Sequence, residues 1–322
     1  MYNILISGYY GFDNIGDESI LRTLVSSLRE HIPGCSLTVL SHNPASTREK
    51  YGVEAVDRMS PMAILRAVKG CDMLISGGGS LLQDVTSSKS LHYYLAIIRC
   101  AEFFHKKVFI YSQGIGPIDR PGNRRAAAKA LQRADGIVVR DERSAALLEE
   151  IGIARDKVVI TADPVIRMKK PDGDVGADIL HKAGVTLDGR LTVGWAIREK
   201  DKDGRFVAEI LKSIRWLKEK YNAQSVLIPF HYEEDGEVCR HIASQLPDDT
   251  AVCLNEKYLS EDMLSIIGNM DLLVGVRLHS LIYAAIMGVP LIGISYDPKC
   301  TAFLNSVGLD KLSTRDGYTA EA

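Results

Sequence analysis

The sequence predicts an α/β protein built from parallel sheets that are covered by helices. Short runs rich in Val and Ile recur along nearly the whole chain, and each is followed by a segment with the apolar spacing of a helix. This alternation is typical of parallel strands joined by crossover helices. At 322 residues, 46% of them hydrophobic, the chain is long enough for two domains with separate cores. We therefore expect two Rossmann-like domains that face a central cleft.

The predicted strands form two series. The first series consists of ILISGY, SLTVLS, DMLISG, KVFIYSQG, GIVVRD and VVITAD. The second consists of RLTVGWAIRE, SVLIPFH, TAVCLN, LLVGVR and PLIGISYD, separated by helices such as RFVAEILKSIRWLKEKY and EDMLSIIGNM. Between the series lies RMKKPDGDVGADILHKAGVTLDG, whose charge, Gly and Pro content indicates a linker and a short helix. The predicted domains are residues 1–167 and 190–322, with the linker and short helix at 168–189.

Composition excludes several classes of protein. The net charge of −2 gives no global electrostatic footprint for nucleic-acid binding. The six cysteines are scattered without a CxxC pair, so we expect reduced thiols and neither a disulfide framework nor a zinc site. The N-terminus lacks the pattern of a signal peptide, and no apolar run approaches the ~18 residues needed to span a membrane. These features predict a cytoplasmic protein without a metal site.

Polar and glycine-rich motifs fall where predicted strands give way to helices. In open parallel sheets, ligands bind beyond the carboxyl ends of the strands, so these junctions are the functional candidates. The junction motifs are GYYGFDNIGDES, SGGGSLLQD, VVRDERS, WAIRE, PFHYEED and GVRLHS.

The first glycine loop follows the first predicted strand. It contains Gly8, Gly11 and Gly16 together with Asn14 and Asp17. It is neither a GxGxxG dinucleotide fingerprint nor a GxxxxGK(S/T) phosphate loop. Two interpretations stay open: a tight structural turn with Asp17 as the helix N-cap, or a ligand loop.

The second glycine loop, SGGGS, spans residues 76–80. Three glycines let the backbone approach a ligand closely, and exposed amides bind anions, which favours a ligand role. The later motif QGIGP, residues 113–117, is interpreted as a wall of the cleft.

Two arginines end predicted strands. Arg140 is open to two interpretations: it pairs with Asp141 or Glu142 as a strand-end charge, or it binds a ligand. Arg277 leaves a buried strand, so its guanidinium needs an anionic partner, and no neighbour in sequence supplies one.

Three further residues accompany these arginines in the second half. His279, close to Arg277, favours a functional role over that of a helix cap or core histidine. His231 is open between the two, and Lys299 opens a helix whose dipole disfavours a cation unless it is solvated or an anion binds there. Several cations, an amide cradle and one histidine together predict a small, multiply charged anionic substrate.

Seven motifs, in order from residue 2 to about 310, together resemble the polysaccharide pyruvyl transferase family. They are GYYGFDNIGDE, SGGGSLLQD, QGIGP, VVRDERSAALLEEIG, ADP, WAIRE and VRLHSLIYAAIMGVPLIGISYDPK. The resemblance is greatest to the CsaB branch, which acts on the bacterial secondary cell-wall polysaccharides that anchor S-layers. It implies a GT-B-like fold, phosphoenolpyruvate as co-substrate with no further cofactor, and a ketal-linked pyruvate on a sugar.

For the CsaB branch the implied acceptor is N-acetylmannosamine of a lipid-linked disaccharide precursor, modified at its 4- and 6-hydroxyls. Such an acceptor implies peripheral contact with the inner face of the cell membrane. The basic segment RPGNRRAAAKALQR, which contains no acidic residue, is one candidate surface; a solvated helix face is equally open.

The resemblance also assigns site residues. Arg277, His279 and Arg140 match the family's donor-binding positions, and Lys299 matches more weakly. Protonation of the donor's methylene needs a positioned acid, for which His279 is best placed. The acceptor or cleft candidates are Asp13, Asn14, Asp17, Gly78, Gly79, Ser80, Gln83, Arg198, Glu199 and His231. Asp13, Asp17, Gln83 and Glu199 stay open as the group that orients or deprotonates the acceptor.

Two alternative functions and one departure from the fold complete the predictions. A sugar-nucleotide-dependent glycosyltransferase of the same architecture would share the arginines, and a non-catalytic anion- or glycan-binding module would bind without releasing phosphate. GT-B chains usually end in a helix that returns to the first domain, whereas STRDGYTAEA is polar and unpatterned. We therefore expect the natural C-terminal segment to be missing here or to contribute little.

Overall fold

The computed structural model describes residues 2–85, 87–198, 204–247, 249–295, 297–309 and 318–320. The chain divides into two compact units, Met1–Arg167 and Met168–Ala322. Each unit contains its own parallel β-sheet with helices between the strands. The α/β class with parallel sheets, predicted from the alternation of strands and helices, is confirmed.

The first unit is a seven-stranded sheet in the order β3-β2-β1-β4-β5-β6-β7. Its strands are β1 (Asn3–Tyr10), β2 (Ser36–Ser41), β3 (Glu54–Asp57), β4 (Met73–Ser76), β5 (Lys107–Gln113), β6 (Gly136–Val139) and β7 (Val158–Ile160). Its helices are α1 (Ile15–His31), α2 (Pro44–Tyr51), α3 (Pro61–Gly70), α4 (Ser88–Phe103), α5 (Pro121–Leu131) and α6 (Glu142–Glu150). β3 was not among the predicted strands.

The central strands of this sheet are apolar on both faces. Ile4, Leu5 and Ile6 of β1 are all fully buried, as are Leu74 of β4 and Ile110 of β5. Consecutive burial of this kind follows from helices that cover both faces of a parallel sheet. The apolar runs that predicted these strands therefore also account for their central position.

The first helix begins at Asn14 and not at Asp17. The Asn14 side chain accepts a hydrogen bond from the Gly16 backbone N–H at 3.0 Å, which satisfies one of the donors left exposed at a helix start. The interpretation of Asp17 as the N-cap is therefore wrong. Asp17 lies in the first turn, where the helix dipole favours a carboxylate.

The second unit is a five-stranded sheet in the order β10-β9-β8-β11-β12. Its strands are β8 (Thr192–Ala196), β9 (Gln224–Leu227), β10 (Ala251–Cys253), β11 (Leu272–Gly275) and β12 (Leu291–Gly293). Its helices are α7 (Val175–Lys182), α8 (Arg205–Tyr221), α9 (Tyr232–Ala243), α10 (Ser260–Gly268), α11 (Leu278–Met287) and α12 (Pro298–Ser306).

The helix predicted after the linker and part of the polar C-terminal segment make contacts within the second unit. The short helix predicted after the linker is α7, and its Gly176 N–H donates to Ser265 Oγ of α10 at 2.8 Å. In the polar C-terminal segment, the hydroxyl groups of Tyr318 and of Ser213 in α8 share a hydrogen bond of 2.7 Å. The rest of that segment lies outside the described residues, apart from residues 319 and 320.

Each sheet changes direction once. The connections reverse between β1 and β4 in the first sheet, and between β8 and β11 in the second. The loops that follow these four strands leave side by side from the carboxyl edge, where parallel sheets bind ligands. The first glycine loop follows β1, and the second follows β4. In the second sheet, Arg198 follows β8 and Arg277 follows β11. None of the described helices is long and apolar enough to cross a bilayer.

Candidate functional site

The second glycine loop of the first unit is joined to the QGIGP loop by backbone hydrogen bonds. Gly114 N–H donates to the Gly79 carbonyl at 2.9 Å, and Gly116 N–H donates to the Leu82 carbonyl at 2.8 Å. Asp84 N–H donates to the Pro117 carbonyl at 3.1 Å. The two loops therefore form one paired segment beyond the ends of β4 and β5.

Asp84 secures this paired segment to the start of α5. Its carboxylate accepts hydrogen bonds from Asp119 N–H at 2.9 Å, Arg120 N–H at 3.1 Å and Asn123 Nδ2 at 2.8 Å. Burial alone would raise the pKa of Asp84, but these donors stabilise the charged form and lower its pKa below the usual value. The aspartate that ends the SGGGSLLQD motif thus has a structural role.

The glycine triplet leaves space that the chain's own side chains occupy. A Cβ atom at Gly77 would lie 2.2 Å from the Tyr10 hydroxyl oxygen, and one at Gly78 would lie 2.8 Å from Cγ2 of Ile20. Gly79 has φ of +92°, and a Cβ atom there would lie 2.9 Å from Asp17 Oδ1. Close packing therefore requires all three glycines, while their predicted contact with a ligand stays a prediction.

Arg140, at the end of β6, lies in a buried cluster of carboxylates. Its Nη1 donates to Asp163 Oδ2 at 2.8 Å, its Nη2 donates to Ser80 Oγ at 3.0 Å, and its Nε lies 3.7 Å from Asp141 Oδ2. The Arg140 side chain is 5% exposed and that of Asp163 is 8% exposed. A Cβ atom at Gly114 would lie 2.6 Å from Arg140 Nη2, so glycine is needed where the guanidinium passes. The anionic partners of Arg140 therefore belong to its own unit.

The first glycine loop is held by Glu18 and Lys50. Glu18 Oε1 accepts a hydrogen bond from Gly11 N–H at 2.8 Å, and Glu18 Oε2 accepts one from the Tyr51 hydroxyl. Burial raises the pKa of Glu18, although these two donors act in the opposite direction. Lys50 Nζ lies 3.1 Å from Asp13 Oδ1, and both side chains are half-buried.

The start of α1 therefore carries a concentration of carboxylates. Asp13 precedes the helix, and Asp17 and Glu18 lie in its first turn. The Asp17 carboxylate also approaches Gly79 of the second loop. An anion would be repelled here, whereas the hydroxyl groups of a sugar would find hydrogen-bond acceptors.

Arg277 of the second unit has its partner 42 positions away in the chain. Its Nε donates to Asp235 Oδ2 at 3.0 Å, and its Nη2 donates to Asp235 Oδ1 at 2.5 Å. The Arg277 side chain is 16% exposed and that of Asp235 is 1% exposed. This bidentate pair supplies the anion that the sequence neighbours of Arg277 do not, and it fixes the plane of the guanidinium.

A second carboxylate joins Arg277 to Arg198. Glu234 Oε2 lies 3.6 Å from Arg277 Nη2 and accepts a hydrogen bond from Arg198 Nη2 at 3.4 Å. Two guanidinium groups and two carboxylates therefore meet where β8, β9 and β11 end. The predicted candidate Glu199, next to Arg198, lies outside the described residues.

The two histidines of this unit lie in different settings. His231 is the N-cap of α9. Its ring nitrogen Nδ1 accepts a hydrogen bond from the Glu234 backbone N–H at 3.3 Å, and its backbone N–H donates to Asp235 Oδ2 at 2.8 Å. His279 lies in the first turn of α11, two residues after the N-cap residue Arg277, and its Nε2 atom is buried. The structure thus gives His231 a capping role, and it places His279 at a helix start beside the Arg277–Asp235 pair.

The remaining candidates are more scattered. Lys299 lies in the first turn of α12, and its Nζ is 3.6 Å from Oδ2 of the N-cap residue Asp297, so this half-buried lysine also has an anion in its own chain. Gln83 is half-buried next to Asp84. Within the described ranges, no group of histidine, cysteine, aspartate or glutamate side chains has the arrangement of a metal site.

Two doubly wound parallel sheets with polar side chains at their switch points define a GT-B-like fold, which this chain shares with solved glycosyltransferases and sugar-nucleotide epimerases. UDP-GlcNAc 2-epimerase of Methanocaldococcus jannaschii superimposes with a TM-score of 0.69 at 14% identity, over 99% of this chain and 89% of that one. HepE of Anabaena, in complex with UDP-glucose, superimposes with a TM-score of 0.66 at 12% identity, over 100% of this chain and 87% of HepE. Escherichia coli ADP-heptose LPS heptosyltransferase II superimposes with a TM-score of 0.54 at 14% identity, over 98% of this chain and 90% of the heptosyltransferase.

Within this fold class the chain belongs to the polysaccharide pyruvyl transferase family, whose sequence model matches residues 14–298. The amylovoran biosynthesis protein AmsJ of Erwinia amylovora is 21% identical over 374 aligned residues, which cover 97% of this chain and 87% of AmsJ. The predicted family and the GT-B-like fold are confirmed. The chain is thus similar to proteins of polysaccharide biosynthesis.

Proposed function

We propose that this protein transfers the enolpyruvyl unit of phosphoenolpyruvate to a saccharide, forms a ketal and releases phosphate. The observation that carries this proposal is the position of Arg277 and His279 at the start of α11, with Arg277 oriented by the buried Asp235. Membership of the pyruvyl transferase family supports it. The CsaB resemblance extends it to a 4,6-ketal on N-acetylmannosamine of a lipid-linked disaccharide.

The donor is assigned to the second unit because its cations lie at helix starts. Phosphoenolpyruvate carries a carboxylate and a phosphate, which are bound by forked arginine donors and by the N–H groups at a helix N-terminus. Arg277 and His279 lie at the start of α11, and Lys299 lies at the start of α12. Arg198 adds a further cation at the end of β8.

His279 is assigned as the acid. It gives a proton to the methylene carbon of the donor, and the adjacent enol carbon then accepts an electron pair from a sugar hydroxyl oxygen, whose proton passes to a base. Phosphate leaves with the electron pair of its C–O bond, and the second hydroxyl loses its proton and closes the cyclic ketal. Pyruvate is thereby joined through two C–O bonds, and inorganic phosphate is the only other product.

The acceptor is assigned to the first unit on the basis of charge. Asp13 and Asp17 place carboxylates beside the two glycine loops, where they accept hydrogen bonds from sugar hydroxyls and serve as candidate bases. Gln83 and Glu199 remain candidates for the same role. The contacts of Arg140 support a role in holding the paired loops, and its contact with the donor remains a prediction.

The direct test is phosphate release from phosphoenolpyruvate in the presence of lipid-linked saccharides. We expect release that depends on the acceptor, and a saccharide product whose mass increases by one pyruvate less one water. N-acetylmannosamine-containing acceptors are expected to exceed others if the CsaB extension is correct. No phosphate release with any saccharide of the panel would refute the proposal.

The fold also suggests a rival function. The structure of HepE contains UDP-glucose, so a sugar-nucleotide-dependent glycosyltransferase is the alternative suggested by likeness of fold. Parallel titrations with phosphoenolpyruvate and with UDP-sugars distinguish the two. Binding of UDP-sugars alone would favour the glycosyltransferase, and binding of phosphoenolpyruvate without turnover would favour a non-catalytic module.

A lipid-linked acceptor extends the proposal to membrane contact through α5. Arg124, Arg125 and Lys129 line a shallow surface cavity of about 350 Å³, although Arg124 also pairs with Glu150 at 3.3 Å. Each basic residue near anionic lipid contributes roughly 1 kcal/mol, so binding is expected to weaken with salt. Reversal of the three charges should abolish co-sedimentation with anionic liposomes; unchanged co-sedimentation would exclude this surface.

A further inference from the structure

Three aromatic rings stack at the carboxyl edge of the first sheet, next to the first glycine loop. The ring centroids of Tyr9 and Phe12 are 4.0 Å apart with an interplanar angle of 5°, and those of Phe12 and His42 are 4.4 Å apart, also at 5°. Tyr9 and Phe12 are half-buried, whereas His42 is exposed. The stack therefore ends in an exposed imidazole ring.

The loop that carries Phe12 is held tightly against the loop that carries His42. Gly11 has φ of +80°, and a Cβ atom there would lie 2.6 Å from the Asn43 backbone nitrogen, so only glycine permits this approach. Asp13 adopts φ of 54°, a left-handed conformation that aspartate tolerates better than most residues. A surface loop fixed on both sides of Phe12 is typical of a binding site whose geometry is set before the ligand arrives.

Arg58 holds the same loop from the end of β3. Its Nη1 donates to the Gly8 carbonyl at 3.0 Å, and its guanidinium carbon lies 5.1 Å from the Phe12 ring centroid, 5.7 Å from that of Tyr9 and 4.7 Å from that of Tyr93. Arg58 is only 7% exposed, and the surrounding rings offset part of the cost of burying its charge. Arg58 is therefore a positioning residue for the stack.

Polar groups lie next to the stack in the chain. Asp13 follows Phe12 directly, and its carboxylate pairs with Lys50 at 3.1 Å; both side chains are partly exposed. This pair offers acceptors from the carboxylate and donors from the ammonium group. An aromatic face with a neighbouring carboxylate and ammonium group matches a pyranose, which has one face of C–H bonds and a rim of hydroxyls.

We infer that the Tyr9–Phe12–His42 stack, together with the Asp13–Lys50 pair, is a binding site for a pyranose unit. The C–H face of the sugar packs on the exposed ring of His42, and the sugar's hydroxyls exchange hydrogen bonds with Asp13 and Lys50. The inference rests on the proposed function in one respect only, because that function supplies a saccharide acceptor. It adds His42 and Lys50 as residues that bind this acceptor, next to Asp13, which is a candidate base of the transfer.

The test measures sugar binding without the donor. N-acetylmannosamine and N-acetylglucosamine are added to the full chain, and saturation-transfer difference NMR records their contact with the protein and their affinity. His42→Ala is expected to weaken binding about tenfold, because it removes the exposed face of the stack. His42→Phe is expected to restore most of the affinity, since it keeps an aromatic face.

A matched histidine provides the control. His92 is also exposed in the first unit, on α4, and it is not part of the stack. His92→Ala should bind both sugars as the wild type does. Equal losses in His42→Ala and His92→Ala, or unchanged binding in His42→Ala, would overturn the inference.

Kinetics separate this inference from the proposed function. In the pyruvyl transfer assay, His42→Ala should raise the KM for the saccharide about tenfold while the KM for phosphoenolpyruvate stays at the wild-type value. Sugar binding at the stack without phosphate release would sustain the inference and refute the proposed function. Phosphate release with an unchanged saccharide KM in His42→Ala would do the reverse.

Discussion

The same sequence pattern, an arginine at the end of an apolar strand, identified both Arg140 and Arg277, but the two residues lie in different electrostatic surroundings. Each ends a short apolar strand, and each pairs with a carboxylate of its own unit. Arg140 is joined by Asp141 and Asp163, so one cation faces two anions and the cluster carries a net charge of −1. An arginine at a strand end therefore does not by itself identify an anion site.

The surroundings of Arg277 differ because a second arginine, Arg198, belongs to the same cluster of charged side chains. Arg277 and Arg198 meet Asp235 and Glu234, so two cations face two anions and the net charge of the cluster is zero. Arg277 is also the N-cap of α11, so the positive end of that helix dipole adds to the charge around its backbone. An anionic ligand is therefore disfavoured less at Arg277 than at Arg140. This contrast supports the proposal that the donor binds to the second unit, whereas Arg140 holds the loops of the first.

The largest expected effect is on the chemical step in the second unit. His279→Gln keeps a hydrogen-bonding side chain but does not act as an acid, so turnover should fall ~10²–10⁴-fold while donor affinity stays near the wild-type value. Single-turnover kinetics and a direct titration with phosphoenolpyruvate measure the two quantities separately. Wild-type turnover, or a loss of donor affinity alone, would make His279 a binding or capping residue.

His231 supplies the matched control for that variant. Its Nδ1 caps α9, and asparagine is a favourable N-cap that lacks the imidazole. His231→Asn should therefore keep both the helix start and the turnover rate. A slow His231→Asn enzyme would move the acid from His279 to His231.

Exchange of each arginine for lysine tests the contrast directly. Lysine keeps the charge but loses the planar fork, so Arg140→Lys should lose the Ser80 contact and destabilise the protein by roughly 1.5–3 kcal/mol, with donor affinity unchanged. Arg277→Lys should instead weaken donor binding about tenfold. Urea unfolding and donor titration give both readouts. Weaker donor binding in Arg140→Lys would establish the predicted donor contact of Arg140 and break the contrast.

A smaller loss of stability is expected from a substitution at Gly114, where the backbone passes the Arg140 guanidinium. Gly114→Ala would place a Cβ atom 2.6 Å from Arg140 Nη2, so we expect a destabilisation of roughly 1–3 kcal/mol. Gly122→Ala in the same unit is the control, because among the described residues no heavy atom outside its own helix backbone and chain neighbours lies within 4 Å of the added Cβ. Equal unfolding midpoints for the two variants would show that the Arg140 cluster tolerates displacement.

The smallest effect concerns Glu18, which holds the first glycine loop. Burial raises its folded-state pKa, so its contribution to the free energy of unfolding is full below its usual pKa and is lost as pH rises through the raised value. Glu18→Gln keeps an acceptor for Gly11 N–H and does not titrate. The variant should gain stability relative to the wild type between about pH 4 and about pH 8. Parallel urea midpoints at both pH values that show a constant difference would contradict this.

The sequence predicted the fold well wherever elements were long or buried on both faces. Apolar runs such as ILISGY and LLVGVR gave strands that lie within one or two residues of β1 and β11. β3 was missed because it is an edge strand of four residues, EAVD, of which the first and last are acidic. Short edge strands need little apolar surface, so their composition resembles that of a loop.

The site was predicted less completely, because its contacts join distant parts of the chain. Arg277 was identified as a guanidinium in need of an anion, but Asp235 lies in HYEEDGE, where three consecutive acidic residues at a helix start are ordinary. Arg58 gave no signal, since the rings around it come from two other segments of the chain. His231 was left open, and only the contact of its Nδ1 with Glu234 N–H reveals the cap.

The pairing of the SGGGS and QGIGP loops has a consequence for protein engineering. Backbone hydrogen bonds join Gly79 to Gly114 and Leu82 to Gly116, and Asp84 fastens both loops to the start of α5. A loop graft that replaces only one partner would leave the other with unmatched amides and carbonyls. Exchanges in these loops should therefore replace residues 76–84 and 113–123 together, and libraries that randomise one loop alone should yield few folded clones.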